Sequence, residues 1–95
     1  MSDLAETIQN EIHEKVSELA KRLGNDASSL SATDIIPETG LLDSASIIEL
    51  VVWLESQYSI RLAHDEITVE NLGSLESMRS FVMLKQGQSA TAHSS

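Results

Sequence analysis

The sequence predicts an all-α fold, a small antiparallel four-helix bundle with three main helices and a short third helix. Apolar residues recur with a helical period, and the one segment that alternates like a strand has no second strand to pair with. With one Trp, one Tyr and one Phe, aliphatic side chains must fill the core. The 95 residues form a single domain. We expect this domain at residues 1–87 and a disordered tail at 88–95.

The first helix is predicted from about Asp3 to Leu23. Asp3 and Glu6, three positions apart, resemble a capping box, and Gly24 can supply the left-handed residue that ends the helix. One apolar stripe runs along the helix at spacings of three and four residues. It consists of Leu4, Ile8, Ile12, Val16, Leu19 and Leu23.

Residues 24–43 carry turn-forming residues and no helical period, which predicts a long connection. Such a connection in a small domain indicates a function. Pro37 disfavours a helix across its middle. The apolar residues are too many for a free linker, so we expect them to pack against the end of the bundle. They are Leu30, Ile35, Ile36, Leu41 and Leu42.

The second helix, predicted from Ser44 to about Gln57, has two apolar faces. One is the core face, with Ile47, Leu50, Val51, Leu54 and Tyr58. The opposite face carries Ala45, Ile48 and Val52, flanked by Glu49 and Glu55. An apolar strip that faces solvent marks a partner, unless a neighbouring helix covers it.

The rest of the chain predicts an extended connector and two more helices. Ile60 and Leu62 lie in the connector, and a short third helix spans residues 68–72. Ser74 is placed to cap the fourth helix, which we expect to end near Lys85, before Gly87. Its core face consists of Leu75, Met78 and Val82.

The charge of the chain limits its partners and its location. A formal net charge of −9 repels nucleic acids and anionic lipids, so partners should be basic proteins. The chain has no cysteine, and its N-terminus lacks the features of a signal peptide. Its longest apolar run, Leu50 to Leu54, is too short to cross a membrane. We therefore expect a monomeric cytoplasmic protein without membrane insertion.

Ser44 stands where the long connection becomes the second helix. Taken alone, such a serine is usually an N-cap. A small serine hydrolase is a further alternative, in which His64 beside Asp65 would supply the base; however, no nucleophile-elbow motif surrounds Ser44. The other two histidines, His13 and His93, lie far from Ser44 and from each other in the sequence. The acidic residues Asp65, Glu66 and Glu70 lack the spacing of a calcium loop, so no metal site is predicted.

The segment Gly40-Leu41-Leu42-Asp43-Ser44, with the order of the predicted helices, resembles the acyl carrier protein family. The resemblance implies that Ser44 receives phosphopantetheine from coenzyme A through a magnesium-dependent transferase. The thiol of this arm would then hold cargo as a thioester, and the protein would be a carrier, not an enzyme. Asp43 would contact the magnesium ion or the transferase transiently, or serve as a cap. A phosphate on Ser44 would lie at a helix N-terminus, which favours anions.

The resemblance also assigns a docking role to Ala45, Ile48, Glu49, Val52 and Glu55, which match the positions at which carriers meet their enzymes. The implied partners are the phosphopantetheinyl transferase, a cargo-loading ligase or transferase, and later biosynthetic enzymes with basic patches. Apolar residues would form the centre of each interface and the acids would orient it.

The Leu-Leu-Asp-Ser form of the motif resembles stand-alone carriers of specialised pathways, including D-alanyl carrier proteins. Leu42 and Ala45 depart from the pattern of fatty-acid-synthesis carriers. The cargo could therefore be a fatty acyl, modified acyl or aminoacyl group. The remaining alternative is an unmodified helical interaction module in which Ser44 is only a cap.

Overall fold

The protein folds as an all-α bundle in the computed structural model, which describes the backbone of residues 4–94 and the side chains of residues 4–87. The predicted fold class is confirmed. Three long helices are joined by three short helical segments. In chain order these are α1 Leu4–Arg22, α2 Ile36–Thr39, α3 Ser44–Tyr58, a 3-10 helix His64–Glu66, α4 Val69–Leu72 and α5 Leu75–Ser94.

The core is aliphatic, as the composition predicts, and lies where α1 packs against α5 and α3. Burying each of its large side chains contributes about 1.5–3 kcal/mol. Both ends of the predicted α1 stripe lie outside the core, since Leu4 and Leu23 are exposed. The buried residues of α1 and α5 are Ile8, Ile12, Val16, Leu19, Leu75, Met78 and Val82.

The helix α1 ends at a left-handed glycine, as predicted. Gly24 has φ +79°, and its N–H donates to the carbonyl of Lys21. The N–H of Asn25 donates to the carbonyl of Ala20 at 2.8 Å, which completes a Schellman motif. The predicted cap at Asp3 lies outside the described residues.

The long first connection contains the one-turn helix α2, Ile36–Thr39, so the prediction that Pro37 disfavours helix across its middle is wrong. Pro37 lies in the first turn, where its missing N–H has no intrahelical partner and its fixed φ suits a helix. The N–H of Ile36 donates to the carbonyl of Gly73 at 2.7 Å, which connects α2 to the turn between α4 and α5. The predicted packing of the connection is confirmed: Leu30, Ile36 and Leu42 are buried, and Ile35 and Leu41 are half-buried.

The cap predicted at Ser74 is present, and Thr68, which was predicted as the first residue of the short third helix, is the cap of α4. Thr68 Oγ1 accepts the N–H of Asn71 at 3.2 Å, and Ser74 Oγ accepts the N–H of Ser77 at 3.1 Å. The connector before them is buried at Ile60 and Leu62. It is less extended than predicted, because the 3-10 helix interrupts it.

The helix α5 continues to Ser94, so the prediction that it ends near Lys85 is wrong. A glycine within a helix costs only about 1 kcal/mol, so Gly87 need not end it. Helix is thus assigned to most of the segment predicted as a disordered tail. The side chains of residues 88–95 lie outside the described set.

Candidate functional site

Ser44 is the first residue of α3, and its side chain is exposed. The residue that caps this helix is its neighbour. Asp43 has extended backbone geometry, and its Oδ1 accepts the N–H of Ser46 at 2.8 Å. The interpretation of Ser44 as the cap is therefore wrong. Within the described residues, no hydrogen bond engages the Ser44 hydroxyl, so it is available for chemistry.

Asp43 is held as a carboxylate at the start of α3. The hydrogen bond from the Ser46 N–H lowers the pKa of Asp43 below its usual range. Oδ1 accepts this bond, and the Ser46 side chain lowers the pKa of Asp43 further. Asp43 can thus cap the helix with Oδ1 while Oδ2 takes no part in the backbone bond.

The N-terminus of α3 is suited to a phosphate on the Ser44 oxygen. The helix is 15 residues long and has no acidic residue in its first turn. The N–H groups of Ser44 and Ala45 have no acceptor among the described residues, so they and the helix dipole favour an anion at this end. Asp43 is the one adjacent negative charge, and it opposes this effect.

Asn25 and Thr39, which no sequence pattern singled out, help to hold the segment before Ser44 in place. Asn25 Nδ2 donates to the carbonyl of Leu41 at 3.0 Å, and Thr39 Oγ1 accepts the N–H of Leu41 at 3.2 Å. Gly40 turns the chain with φ +73°, and Leu42 is buried. Asn25 therefore links the end of α1 to the approach to Ser44. In the sequence, Asn25 stands out only because it directly follows Gly24, the glycine that ends α1.

The second apolar face of α3 is exposed, as predicted. Ile48 and Val52 keep 64% and 57% of their surface accessible, and Ala45 is also exposed. No described helix covers them, which removes the alternative of a buried face. We call Ala45, Ile48 and Val52 the docking strip.

The two acids beside the docking strip have different surroundings. The Glu55 side chain is half-buried, and its Oε2 accepts the N–H of Leu62 at 3.0 Å, so it fastens the connector to α3. Glu49 is exposed, and its Oε2 accepts from Arg22 Nη1 at 2.8 Å. The docking role expected of both acids took no account of Arg22, because a contact between residues 27 positions apart leaves no pattern in the sequence.

A small apolar cavity lies on the other side of α3. Its volume is about 150 Å³, and Ile47, Val51 and Leu72 contribute to its lining. Val69, at its edge, is 52% exposed. Because its walls are almost entirely apolar, the cavity suits an apolar group and not an ion.

The histidines are not arranged to activate Ser44. His13 Nε2 donates to the carbonyl of Ala27 at 2.9 Å, and His64 is exposed on the 3-10 helix. Neither makes a hydrogen bond with Ser44, and the side chain of His93 lies outside the described residues. At the end of the same 3-10 helix, the Glu66 carboxylate accepts hydrogen bonds from the N–H of Ala63 and from Lys85 Nζ. The hydrolase hypothesis thus has no base in contact with Ser44 among side chains 4–87.

Comparison with known proteins gives one family match. The family model described as "Phosphopantetheine attachment site" matches residues 4–78, which is 75 of the 95 residues. The matched region contains the Asp43-Ser44 junction and helices α1 to α4. No curated protein matches the chain. None of the helices in the described part of the chain is long and apolar enough to span a membrane.

Proposed function

Because the chain belongs to the family of carrier proteins that contain a phosphopantetheine attachment site, we propose that Ser44 is the residue that bears the arm. Domains of this family carry phosphopantetheine covalently on a serine, are modified by a phosphopantetheinyl transferase and are not enzymes. The attached arm supplies a thiol, which this chain otherwise lacks and on which cargo is held as a thioester.

The observation that carries the proposal is the state of the Ser44 hydroxyl. It is exposed, makes no hydrogen bond with the described residues and stands at the N-terminus of a long helix inside the matched region. Ser74, by contrast, is buried and caps α5. Modifying Ser44 would therefore cost the fold no contact.

The residues around Ser44 have separate tasks in the transfer. Asp43 Oδ1 holds the first turn of α3 through the Ser46 N–H, and Oδ2 can contribute one ligand to a magnesium ion shared with the transferase. Ser44 Oγ would supply the nucleophile that attacks the phosphorus next to the pantetheine part of coenzyme A; the phosphoanhydride bond then breaks, and the nucleotide half of coenzyme A leaves. Since no described base contacts this oxygen, a group of the transferase must accept its proton.

The docking strip would provide the apolar centre of each interface with an enzyme. Ala45, Ile48 and Val52 are exposed directly after Ser44, so an enzyme seated on them has the arm within its reach. Glu49 beside them would orient basic residues of the partner. The partners are the transferase, the enzyme that loads the cargo and the enzymes that consume it, and each contact must be brief. Glu55, already bonded to Leu62, would contribute less.

The cargo class follows only from the motif. The Leu-Leu-Asp-Ser form at residues 41–44 favours a stand-alone carrier of a specialised cytoplasmic pathway, with an acyl or aminoacyl cargo. An unmodified interaction module remains the alternative function, since the exposed docking strip would also suit a fixed partner.

Coexpression with a broad-specificity phosphopantetheinyl transferase tests the proposal. Wild type should gain the mass of one arm and one free thiol, while Ser44→Ala should gain neither. Ser46→Ala is the matched control, because alanine keeps the backbone N–H that Asp43 Oδ1 accepts, and it should be modified like wild type. An unmodified wild type across several transferases would favour the interaction module.

A further inference from the structure

Arg22 joins the end of α1 to the docking face of α3. Its Nη1 donates to Glu49 Oε2 at 2.8 Å, and its Nη2 donates to Glu18 Oε2 at 3.0 Å. Glu18 also accepts from Lys15 Nζ at 3.0 Å. We call Arg22 with Glu18 and Glu49 the Arg22 bridge. It is a surface arrangement, since each of its three side chains is about half exposed.

The bridge occupies the acid that borders the docking strip. Glu49 follows Ile48 directly and precedes Val52 by three positions, so its carboxylate lies beside both exposed apolar residues. It is also the better placed of the two acids that flank the strip, because Glu55 is bonded to the N–H of Leu62. A basic side chain of a partner must therefore compete with Arg22 for the Glu49 carboxylate.

We propose that Arg22 is a specificity-determining residue that occupies Glu49 in the free protein and is displaced when a basic side chain of a docking enzyme binds there. The proposal rests on the proposed carrier function and names the partner's contact as a lysine or arginine. The net charge of −9 supports this occupant, because it attracts basic surfaces and repels acidic ones.

The geometry keeps the free-energy cost low when a partner's cation replaces Arg22 on Glu49. When Arg22 leaves Glu49, its second nitrogen can stay on Glu18, so the guanidinium keeps one carboxylate partner. Exposed ion pairs are weak and screened by salt, so a partner's cation can compete for Glu49. Enzymes without a cation at this point would leave the ion pair between Arg22 and Glu49 intact and would gain no contact with Glu49.

The test measures KM and kcat for arm loading of the unmodified protein by a broad-specificity phosphopantetheinyl transferase, with coenzyme A, at low and high salt. Arg22→Gln should lower KM about two- to fivefold at low salt without changing kcat, and the difference should vanish at high salt. Arg61→Gln is the matched control, since exposed Arg61 has no ion pair among the described residues and its loss changes the net charge equally. It should lower KM less than Arg22→Gln.

A double-mutant cycle identifies the mechanism. Glu49→Gln should raise KM, and Arg22→Gln/Glu49→Gln should resemble Glu49→Gln alone, because there is then no carboxylate for Arg22 to occupy. A higher KM for Arg22→Gln, or a KM equal to that of Arg61→Gln, would overturn the role of Arg22 while leaving the carrier function intact. A wild-type protein that no transferase loads would overturn both.

Discussion

Asp43 and Ser44 divide the work at the start of α3. Sequence analysis placed the helix start correctly, but not the side chain that caps it, because an aspartate and a serine in succession are both favoured caps. The structure gives this role to Asp43, and no side chain described in residues 4–87 makes a hydrogen bond with the Ser44 hydroxyl. Asn25, which holds the approach to Ser44, could not be predicted, since it acts through a contact 16 residues away.

The two roles of Asp43 can be separated by substitution. Asp43→Asn should keep the cap, because asparagine caps about as well as aspartate, and should lower Tm less than Asp43→Ala does, but it should slow arm loading through loss of the negative charge. Asp43→Ala should lose both the cap and the negative charge, and should lower Tm by about 4–8 °C. Thermal unfolding and loading kinetics measure the two effects. Normal loading of Asp43→Asn would show that the charge has no role in transfer.

The cap should also weaken in acid. The pKa of Asp43 is lowered in the folded protein by the Ser46 N–H, so its contribution to stability is complete above the unfolded value of about 3.9 and is lost as the pH falls through the folded value. The Tm difference between wild type and Asp43→Ala should thus be constant from neutral pH to about pH 5 and shrink below about pH 4. Circular dichroism melts across this range check the sign; a difference that grows on acidification would contradict it.

At the scale of the helices, α3 was the most predictable element, because both of its faces follow from the helical period. The short helix α2 was missed, since one turn leaves no periodic signal and its stability comes partly from the bond between Ile36 N–H and Gly73 O. The end of α5 was misplaced because Gly87 indicates a stop without requiring one.

Substitutions on α3 should separate docking from folding. Ile48→Asp or Val52→Asp should change Tm by less than about 3 °C, because both residues are exposed, yet raise the KM for arm loading at least about fivefold. Leu50→Asp, at a buried position, should lower Tm by more than about 10 °C or prevent folding. Gln57→Glu adds the same charge on the other side of the helix and should leave KM near wild type. Unfolding by Ile48→Asp would mean that the strip belongs to the core.

At the scale of the whole molecule, composition and periodicity predicted the fold class and most of the core. The ion pair between Arg22 and Glu49 and the anchor of Asn25 on Leu41 could not be predicted, because each joins residues that are distant in sequence. Glu49 accepts from Arg22 in an exposed ion pair, and Glu55 accepts the backbone N–H of Leu62. Of the two acids beside the docking strip, Glu49 is therefore the one that a partner can reach.

The boundary predicted at residue 87 leads to an expectation for a shortened chain. Among the side chains that the structure describes, the buried residues of α5 run from Leu75 to Val82. A protein that ends at Gly87 should therefore melt within about 3 °C of the full chain and be loaded with an unchanged KM. A larger loss of stability would place the C-terminal segment within the folded unit.

The central claim is that Ser44 bears the arm, and fragment-ion mass spectrometry of the loaded wild-type protein tests it most directly. Peptides that span residues 40–50 contain two serines, Ser44 and Ser46, so the fragments must distinguish them. We predict that the entire added mass lies on Ser44 and that Ser46 is unmodified. An arm on Ser46, or on any residue outside this junction, would contradict the account.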